Sequence, residues 1–185
     1  MIIQRELASE LKSAAREYPV VTLTGPRQSG KTTLARRSFP RYRYVNLEEP
    51  DTRELARADP RAFLGTSGKG MILDEIQRVP ELLSYIQSIV DRKKKKGQFI
   101  LTGSRNFELM ESVTQSLAGR TAILNLLPLS ISELKKEKRE NSTDQYLLKG
   151  FYPQVYAENL EPYKAYRNYF QTYIDTIRNI TPEEI

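Results

Sequence analysis

The 185-residue sequence contains no cysteine and no histidine. The first absence excludes disulfide bonds and thiolate metal sites, and the second excludes imidazole ligands and histidine acid–base chemistry. Any catalysis must therefore rely on carboxylates, lysine, arginine, hydroxyl groups, backbone amides or a metal held by oxygen ligands. This restricted set of groups favours chemistry on phosphates.

Long apolar runs are missing as well. No run approaches the ~18 apolar residues that a membrane span needs, and the first residues, MIIQRELASELK, lack the apolar segment of a signal peptide. We therefore expect a soluble protein of the cytoplasm, with no membrane partner. The net charge of +6 makes nucleic acid a candidate partner, although a mildly basic protein that binds anionic nucleotides would carry the same charge.

Apolar, strand-like runs alternate with helical stretches, which predicts βαβ units and a parallel sheet in a three-layer α/β sandwich. The five predicted strands lie at 20–24, 44–47, 71–74, 98–102 and 121–126. The predicted helices cover 3–17, 31–38, 51–65 and 80–93, with Pro50 and Pro60 at helix starts. We expect this core to occupy residues 1–140. The polar stretch at 135–144 marks its end, and a tyrosine-rich helical extension is expected at 141–185.

Residues 25–32 read GPRQSGKT and fit the phosphate-binding pattern G-x-x-x-x-G-K-[S/T], the P-loop. Gly25 and Gly30 permit backbone conformations that turn successive N–H groups toward an anion. Lys31 is expected to contact the β- and γ-phosphates, and the Thr32 hydroxyl to bind Mg²⁺. The preceding strand and the following helix supply the required context. The predicted nucleotide contacts are Gly25, Pro26, Arg27, Gln28, Ser29, Gly30, Lys31, Thr32 and Thr33.

A second motif, MILDE at 71–75, is an apolar run that ends in two acids, which is the Walker B pattern. The strand is expected to deliver Asp74 to its carboxyl end beside the P-loop, where Asp74 would hold Mg²⁺ directly or through water. Glu75 faces a different direction and is the predicted general base for the attacking water. The alternative for Glu75 is a solvated carboxylate at a helix start.

Two more catalytic residues are predicted from their positions. The fourth strand ends in FILTGSR (99–105), whose tip is expected near the γ-phosphate, so Thr102 or Ser104 would orient the water; we favour Ser104, with an ordinary turn as the alternative. Arg120 precedes the fifth strand and is a candidate transition-state cation in its own or a neighbouring subunit. The alternative for Arg120 is a surface arginine, and Arg27 is a candidate contact to phosphate or to a partner.

These motifs predict a bound nucleotide with adenine as the default base, and they leave three functional hypotheses. The sequence has neither the N-K-x-D guanine-reading motif nor the L-S-G-G-Q signature, so ATP with Mg²⁺ is the expected pair. The first hypothesis is an ATPase. The second is a nucleotide-dependent switch with little turnover that presents the tyrosine-rich segment to a partner. The third is a DNA-binding module that uses nucleotide for assembly.

Several segments resemble those of the uncharacterised bacterial and archaeal AAA-like ATPases: GPRQSGKTTLAR, YVNLEEPDTRELARADPRAFL, MILDEIQRVPELLSYIQSIVD, FILTGSR, SLAGRTAILNLLPLSISEL and GFYPQVY. The resemblance covers nearly the whole chain. It implies a P-loop fold of the additional-strand type with parallel strand order 5-1-4-3-2, and a C-terminal nuclease-like domain of unknown function. It also implies that the corresponding family positions are filled by Lys31, Thr32, Asp74, Glu75, Ser104 and Arg120.

The sequence departs from that family in two respects. Near Tyr173 it reads YIDTIRN where the family reads like YLERDVR, which leaves Arg178 without an expected role. The family is also usually longer, and Thr181, Pro182 and Glu184 form a helix start signal close to the last residue. We therefore expect a truncated protein or a fragment, with a frayed polar tail as the alternative.

Two further features each allow two interpretations. A heptad spacing relates Tyr163, Tyr166, Phe170, Tyr173, Ile177 and Ile180. These residues either pack against the chain's own core, or form the face of a homo-oligomer or a docking site for a missing C-terminal domain. The basic run RKKKK at 92–96 is either a solvated helix end or a contact to nucleic-acid phosphates.

Overall fold

The structure is a computed structural model that describes residues 3–65, 68–104, 107–137 and 142–178. The terminal helix signal at 181–184, the heptad residue Ile180 and Arg105 lie outside the described residues, as do the side chains of Tyr173 and Ile177. The chain forms two compact units. The sheet unit is Arg5–Leu127, and the helical unit combines Met1–Gln4 with Pro128–Ile185. The predicted division into 1–140 and 141–185 stays a prediction.

A five-stranded parallel sheet forms the centre of the sheet unit. Its strands are β1 (Val20–Gly25), β2 (Arg43–Asn46), β3 (Met71–Asp74), β4 (Phe99–Ser104) and β5 (Thr121–Asn125). Their order is β2-β3-β4-β1-β5, which confirms the predicted fold class and the order 5-1-4-3-2. The three central strands read as continuous apolar runs because both of their faces are covered.

Helices cover both faces of this sheet. The helices of the sheet unit are α1 (Leu7–Glu17), α2 (Lys31–Ser38), α3 (Pro50–Ala58), α4 (Pro60–Leu64), α5 (Leu82–Lys93) and α6 (Phe107–Leu117), with a 3₁₀ turn at Ile76–Arg78. Side chains alternate along β3, so Met71 and Leu73 pack with α3 to α6 while Ile72 packs with α1 and α2. Pro50 and Pro60 begin α3 and α4, as the sequence predicts.

The helical unit contains α7 (Ile131–Lys136), α8 (Thr143–Lys149), α9 (Pro153–Ala157) and α10 (Pro162–Arg178). Its core consists of Ile3, Leu129, Leu134, Tyr146, Val155 and Tyr156. Of the heptad residues, Tyr166 packs on this core and donates its hydroxyl to the Lys149 carbonyl at 2.8 Å. Tyr163 and Phe170 are 69% and 64% exposed. Their role in docking a partner stays a prediction.

The structure differs from the predicted elements in a few places. Helix α1 begins at Leu7 rather than at residue 3, because Ile3 belongs to the core of the helical unit. Helix α6 was absent from the predicted helices. The polar stretch 135–144 is partly helical, because Ser130 and Ser142 start α7 and α8 with capping boxes. Within the described residues, no helix has the length and apolar character that crossing a membrane requires.

Candidate functional site

The carboxyl ends of β1, β3 and β4 meet at one edge of the sheet. β4 lies between β1 and β3, and its last residue, Ser104, is paired with Gly25, the first residue of the P-loop. Asp74 ends β3 at the same edge. A strand order that changes direction at this point leaves a crevice where ligands of open α/β sheets bind. The topology therefore brings the P-loop, Asp74 and Ser104 together.

The P-loop joins β1 to α2 and depends on two glycines. Gly25 has φ of +148°, and a Cβ atom there would lie 2.2 Å from the Leu126 carbonyl oxygen. Gly30 lies in the left-handed region, with φ of +92° and ψ of 22°, immediately before α2. Both positions therefore require glycine. The Ser29 hydroxyl is buried in this loop and has no hydrogen-bond partner among the described residues, as expected for a polar group that awaits a ligand.

Lys31 lies inside the loop and is 6% exposed. Its Nζ atom donates hydrogen bonds to the carbonyl oxygens of Gly25 at 3.0 Å and Pro26 at 2.8 Å. Burial lowers the pKa of Lys31; Glu75 and Asp74 act in the opposite direction, and Arg27 lowers it further. The ammonium group is thus fixed beside the loop backbone, where a phosphate oxygen could replace either carbonyl as its acceptor.

Three hydroxyl groups converge on the buried carboxylate of Asp74. The Thr32 Oγ1 atom lies 3.0 Å from Oδ1 and 2.9 Å from Oδ2. The Tyr44 hydroxyl donates to Oδ2 at 2.8 Å, and the Thr102 hydroxyl donates to Oδ1. Carboxylate and hydroxyl oxygens are hard ligands of the kind Mg²⁺ prefers, and Mg²⁺ is commonly held by one or two carboxylates together with phosphates. Thr32 and Asp74 therefore fit this metal.

Glu75 has an unusual backbone conformation, with φ of +57°. Its N–H donates to Thr102 Oγ1 at 3.4 Å, and its carboxylate accepts a hydrogen bond from Gln77 Nε2. The other amide atom of Gln77, Oε1, is buried without a partner among the described residues. A left-handed residue other than glycine costs roughly 1–2 kcal/mol, and such strain collects at functional sites. This conformation supports a functional role for Glu75, and its role as the base stays a prediction.

The other predicted residues lie in different places. Ser104 lies beside Gly25 at the site, whereas Arg27, Gln28 and Thr33 are exposed on or just after the loop. Arg120 lies at the opposite edge of the sheet, where its carbonyl accepts from Val20 N at 3.2 Å. The Arg120 guanidinium is paired with Asp91 at 2.6 and 2.8 Å. The length of β5 thus separates Arg120 from the loop in this structure. Its catalytic role, in its own or a neighbouring subunit, stays a prediction.

Three supporting residues escaped the sequence analysis. Tyr44 donates a hydrogen bond to Asp74, and Gln77 donates one to Glu75. The Arg5 guanidinium donates to the carbonyl oxygens of Ser29, in the P-loop, and Leu127, both at 2.6 Å. Burial and the Asp74 hydrogen bond raise the pKa of Tyr44, so its hydroxyl remains a donor at neutral pH. Tyr44 and Gln77 lie in segments that resemble the family, but the P-loop and Walker B patterns assign them no role. The strand order, which places β2 next to β3, is the signal that could have identified Tyr44.

Comparison with known proteins shows the family of the chain and the fold that it shares with solved structures. The sequence profile of a family described as "AAA domain" matches residues 17–135. Two uncharacterised proteins, Mb2031c of Mycobacterium bovis and Rv2008c of Mycobacterium tuberculosis, are each 34% identical to this chain over 181 residues. The alignment covers 95% of this chain and 40% of each relative, so the chain spans less than half the length of these curated relatives.

Two solved structures share the fold. A Walker-type ATPase of Pyrococcus abyssi matches with a TM-score of 0.63 at 15% identity, over 98% of this chain and 77% of that one. A Signal Transduction ATPase with Numerous Domains from Pyrococcus horikoshii, which has a tetratricopeptide repeat sensor, matches with a TM-score of 0.52 at 18% identity. That match covers 84% of this chain and 29% of the other.

Proposed function

The chain belongs to the AAA-domain family of AAA-like P-loop ATPases, and we propose that its sheet unit binds ATP with Mg²⁺ and hydrolyses it. Family membership and fold support nucleotide binding at the P-loop. The observation that carries the proposal for the metal is the pair of contacts between Thr32 Oγ1 and Asp74, at 2.9 and 3.0 Å. This pair brings the two expected Mg²⁺ ligands from the P-loop and from β3 into one place.

Each residue of the site has a part in the proposed reaction. Bound Mg²⁺ would neutralise charge on the phosphates. Lys31 offsets the charge that builds up on the oxygens of the γ-phosphate, since its ammonium is buried and already positioned. Glu75 accepts a proton from the attacking water, and Ser104 orients that water. The new bond joins the water oxygen to the γ-phosphorus, the bond to the bridging oxygen breaks, and ADP and phosphate leave.

Replacing Lys31 with alanine tests the binding site. A hydrogen bond to a charged group contributes about 1.5–3 kcal/mol, so we expect Lys31→Ala to weaken ATP binding about 10- to 100-fold in calorimetric titration. Lys93→Ala is the matched control, because Lys93 is exposed at the end of α5. Unchanged affinity of Lys31→Ala would refute the assignment of the loop.

Replacing Glu75 with glutamine separates binding from turnover. Glutamine keeps the shape of the side chain and loses the basic oxygen, so phosphate release should fall by about 10²–10⁴ while ATP affinity is retained. Glu10→Gln, on the exposed side of α1, is the control for a lost acidic charge. Wild-type turnover of Glu75→Gln would remove this residue from the role of base.

The alternative function is a switch that hydrolyses ATP slowly. The exposed apolar side chains of the helical unit favour it, because Leu147, Tyr163 and Phe170 are 77%, 69% and 64% exposed and would suit a partner or a second copy of the chain. Single-turnover rates of ATP hydrolysis, measured with and without the partner, distinguish the two functions. The rate of a switch rises when the partner binds, whereas an ATPase hydrolyses ATP at its full rate alone.

A cytoplasmic site of action, where ATP and Mg²⁺ are abundant, remains the prediction.

A further inference from the structure

We propose that Tyr44 is a positioning residue that holds the Asp74 carboxylate and thereby sets the affinity of the site for Mg²⁺. This inference rests on the proposed function, because it concerns the metal that would accompany ATP. It adds a strand, β2, to a site otherwise built from β1, β3, β4 and the P-loop. Tyr44 is the first residue of the segment YVNLEEPDTRELARADPRAFL, to which the sequence analysis assigned no role at the site, and its contact with Asp74 arises from the fold.

The hydrogen bonds around Asp74 divide into two kinds. Thr32 contacts both carboxylate oxygens but is itself expected to bind the metal. Thr102 and Tyr44 are the fixed donors, one to each oxygen: Thr102 donates to Oδ1, and Tyr44 donates to Oδ2 at 2.8 Å. Two donors on opposite oxygens prevent the carboxylate from rotating about its Cβ–Cγ bond. Tyr44 is therefore the group that fixes Oδ2.

The tyrosine ring is itself held in position from two directions. On the backbone side, β2 pairs with β3 in a register that places Tyr44 opposite Ile72, two residues before Asp74. On the other side, the Arg36 guanidinium lies 4.5 Å from the centroid of the ring. Arg36 belongs to α2, the helix whose second residue is Thr32. The Tyr44 ring thus connects the helix of one Mg²⁺ ligand to the carboxylate of the other.

Such a contact has a measurable effect on a metal site. Residues that hydrogen-bond to ligating carboxylates fix their orientation, and removing one such residue typically weakens metal affinity about 10- to 100-fold. Removing the Tyr44 hydroxyl should therefore weaken the part of nucleotide binding that depends on Mg²⁺. The part that depends on the loop and Lys31 should be unchanged, because Tyr44 donates to Asp74 while Lys31 donates to Gly25 and Pro26.

The experiment compares Tyr44→Phe with Tyr42→Phe. The Tyr42 hydroxyl donates to the Gly97 carbonyl at 2.7 Å, at the amino end of β2 and away from Asp74. Both tyrosines are half-buried, and each variant loses one hydroxyl and one hydrogen bond, so general effects on stability should be similar. The measurement is calorimetric binding of the non-hydrolysable analogue AMP-PNP, once with Mg²⁺ and once with EDTA. The quantity compared is the affinity measured with Mg²⁺ divided by the affinity measured with EDTA.

We expect Tyr44→Phe to lower this ratio about tenfold, with its affinity in EDTA unchanged, and Tyr42→Phe to keep the wild-type ratio. A wild-type ratio in Tyr44→Phe, or equal losses with and without Mg²⁺, would overturn the inference. Absence of any Mg²⁺ effect in the wild-type protein would instead overturn the metal part of the proposed function, so the two failures are distinct.

A second pair of variants keeps the inference testable if Tyr44→Phe does not fold. Arg36→Gln removes the cation over the ring and leaves the hydroxyl, so it should lower the same ratio by a smaller factor. Arg37→Gln is the control, because it removes an exposed charge from the same turn of α2. Equal ratios in these two variants would contradict the role of the ring in positioning Asp74.

Discussion

Gly25 shows how a single residue limits what the site can tolerate. A Cβ atom at this position would lie 2.2 Å from the carbonyl oxygen of Leu126, which belongs to the backbone and cannot rotate away. We expect Gly25→Ala to lower the free energy of unfolding by about 3 kcal/mol in urea titrations. Gly119→Ala is the matched control: its φ is +71°, and a Cβ there meets nothing within 4 Å. Equal losses in both variants would show that the clash is unimportant.

At this scale the sequence predicts the residues of the motifs and misses those that support them. Lys31, Thr32 and Asp74 are identified by type and spacing, since the chemistry of phosphate and metal requires those groups at those intervals. Tyr44, which was not predicted, contacts Asp74 from a strand that is distant in sequence, and so does Thr102, which was predicted only as the alternative to Ser104 for orienting the water. Their contribution depends on which strands become neighbours and on how far each side chain reaches, and neither can be obtained from local spacing.

At the scale of elements, the start of the sheet unit supports the P-loop. The Arg5 guanidinium contacts Ser29 O and Leu127 O, both at 2.6 Å. We expect Arg5→Gln to leave the sheet folded and to weaken AMP-PNP binding about 10-fold, because hydrogen bonds to a charged group contribute about 1.5–3 kcal/mol. Arg16→Gln, an exposed change in the last turn of α1, should bind like the wild-type protein. If Arg5→Gln and Arg16→Gln bind AMP-PNP equally well, the hydrogen bonds of Arg5 to the loop are not needed for nucleotide binding.

The ion pair between Asp91 of α5 and Arg120, just before β5, predicts that the stability of the protein depends on pH. The hydrogen bond from Arg120 holds the pKa of Asp91 below its ordinary value of 3.8. A carboxyl group with a lowered pKa in the folded state contributes stability above its unfolded pKa, and this stability is lost as the pH falls through the folded pKa. The stability difference between wild type and Arg120→Gln should therefore be present at neutral pH and vanish in acid.

Urea unfolding of both proteins across that range measures this difference, and an NMR titration of the Asp91 carboxyl should show its midpoint return toward 3.8 in Arg120→Gln. A midpoint that does not move would contradict the pairing.

Secondary structure was predictable where one signal dominated. The strands β1 and β3 and the helix α2 follow from apolar runs and from the P-loop, and α3 and α4 follow from prolines at their starts. Helix α6 was missed, and the helical parts of 135–144 were hidden by a polar composition. In that stretch the two serine capping boxes, rather than apolar periodicity, determine where the helices begin.

The distribution of charge concerns the molecule as a whole. The net charge is +6, and Lys93, Lys94, Lys95 and Lys96 are consecutive and exposed at the end of α5. We expect the protein to bind duplex DNA at low salt and to lose this binding when the four lysines become glutamines. Each phosphate contact contributes a slope of roughly 0.9 to the dependence of log affinity on log salt, so the slope should fall by about three to four.

The control keeps the same net charge with the lysines dispersed: Lys12, Lys69, Lys135 and Lys164, all exposed, become glutamines. Equal DNA affinity of the two fourfold variants would mean that only net charge matters. No binding by the wild-type protein at low salt would remove nucleic acid from the candidate partners.

The division of the chain into units has a consequence for its synthesis. Ile3 packs with Leu129 and Tyr146, so the helical unit needs residues that come before the sheet unit in the sequence and residues that come after it. A ribosome releases Ile3 first and its core partners only after the entire sheet unit has emerged. The sheet unit can therefore acquire its fold while the chain is still growing, whereas the core of the helical unit can close only after residues up to Tyr156 have been made.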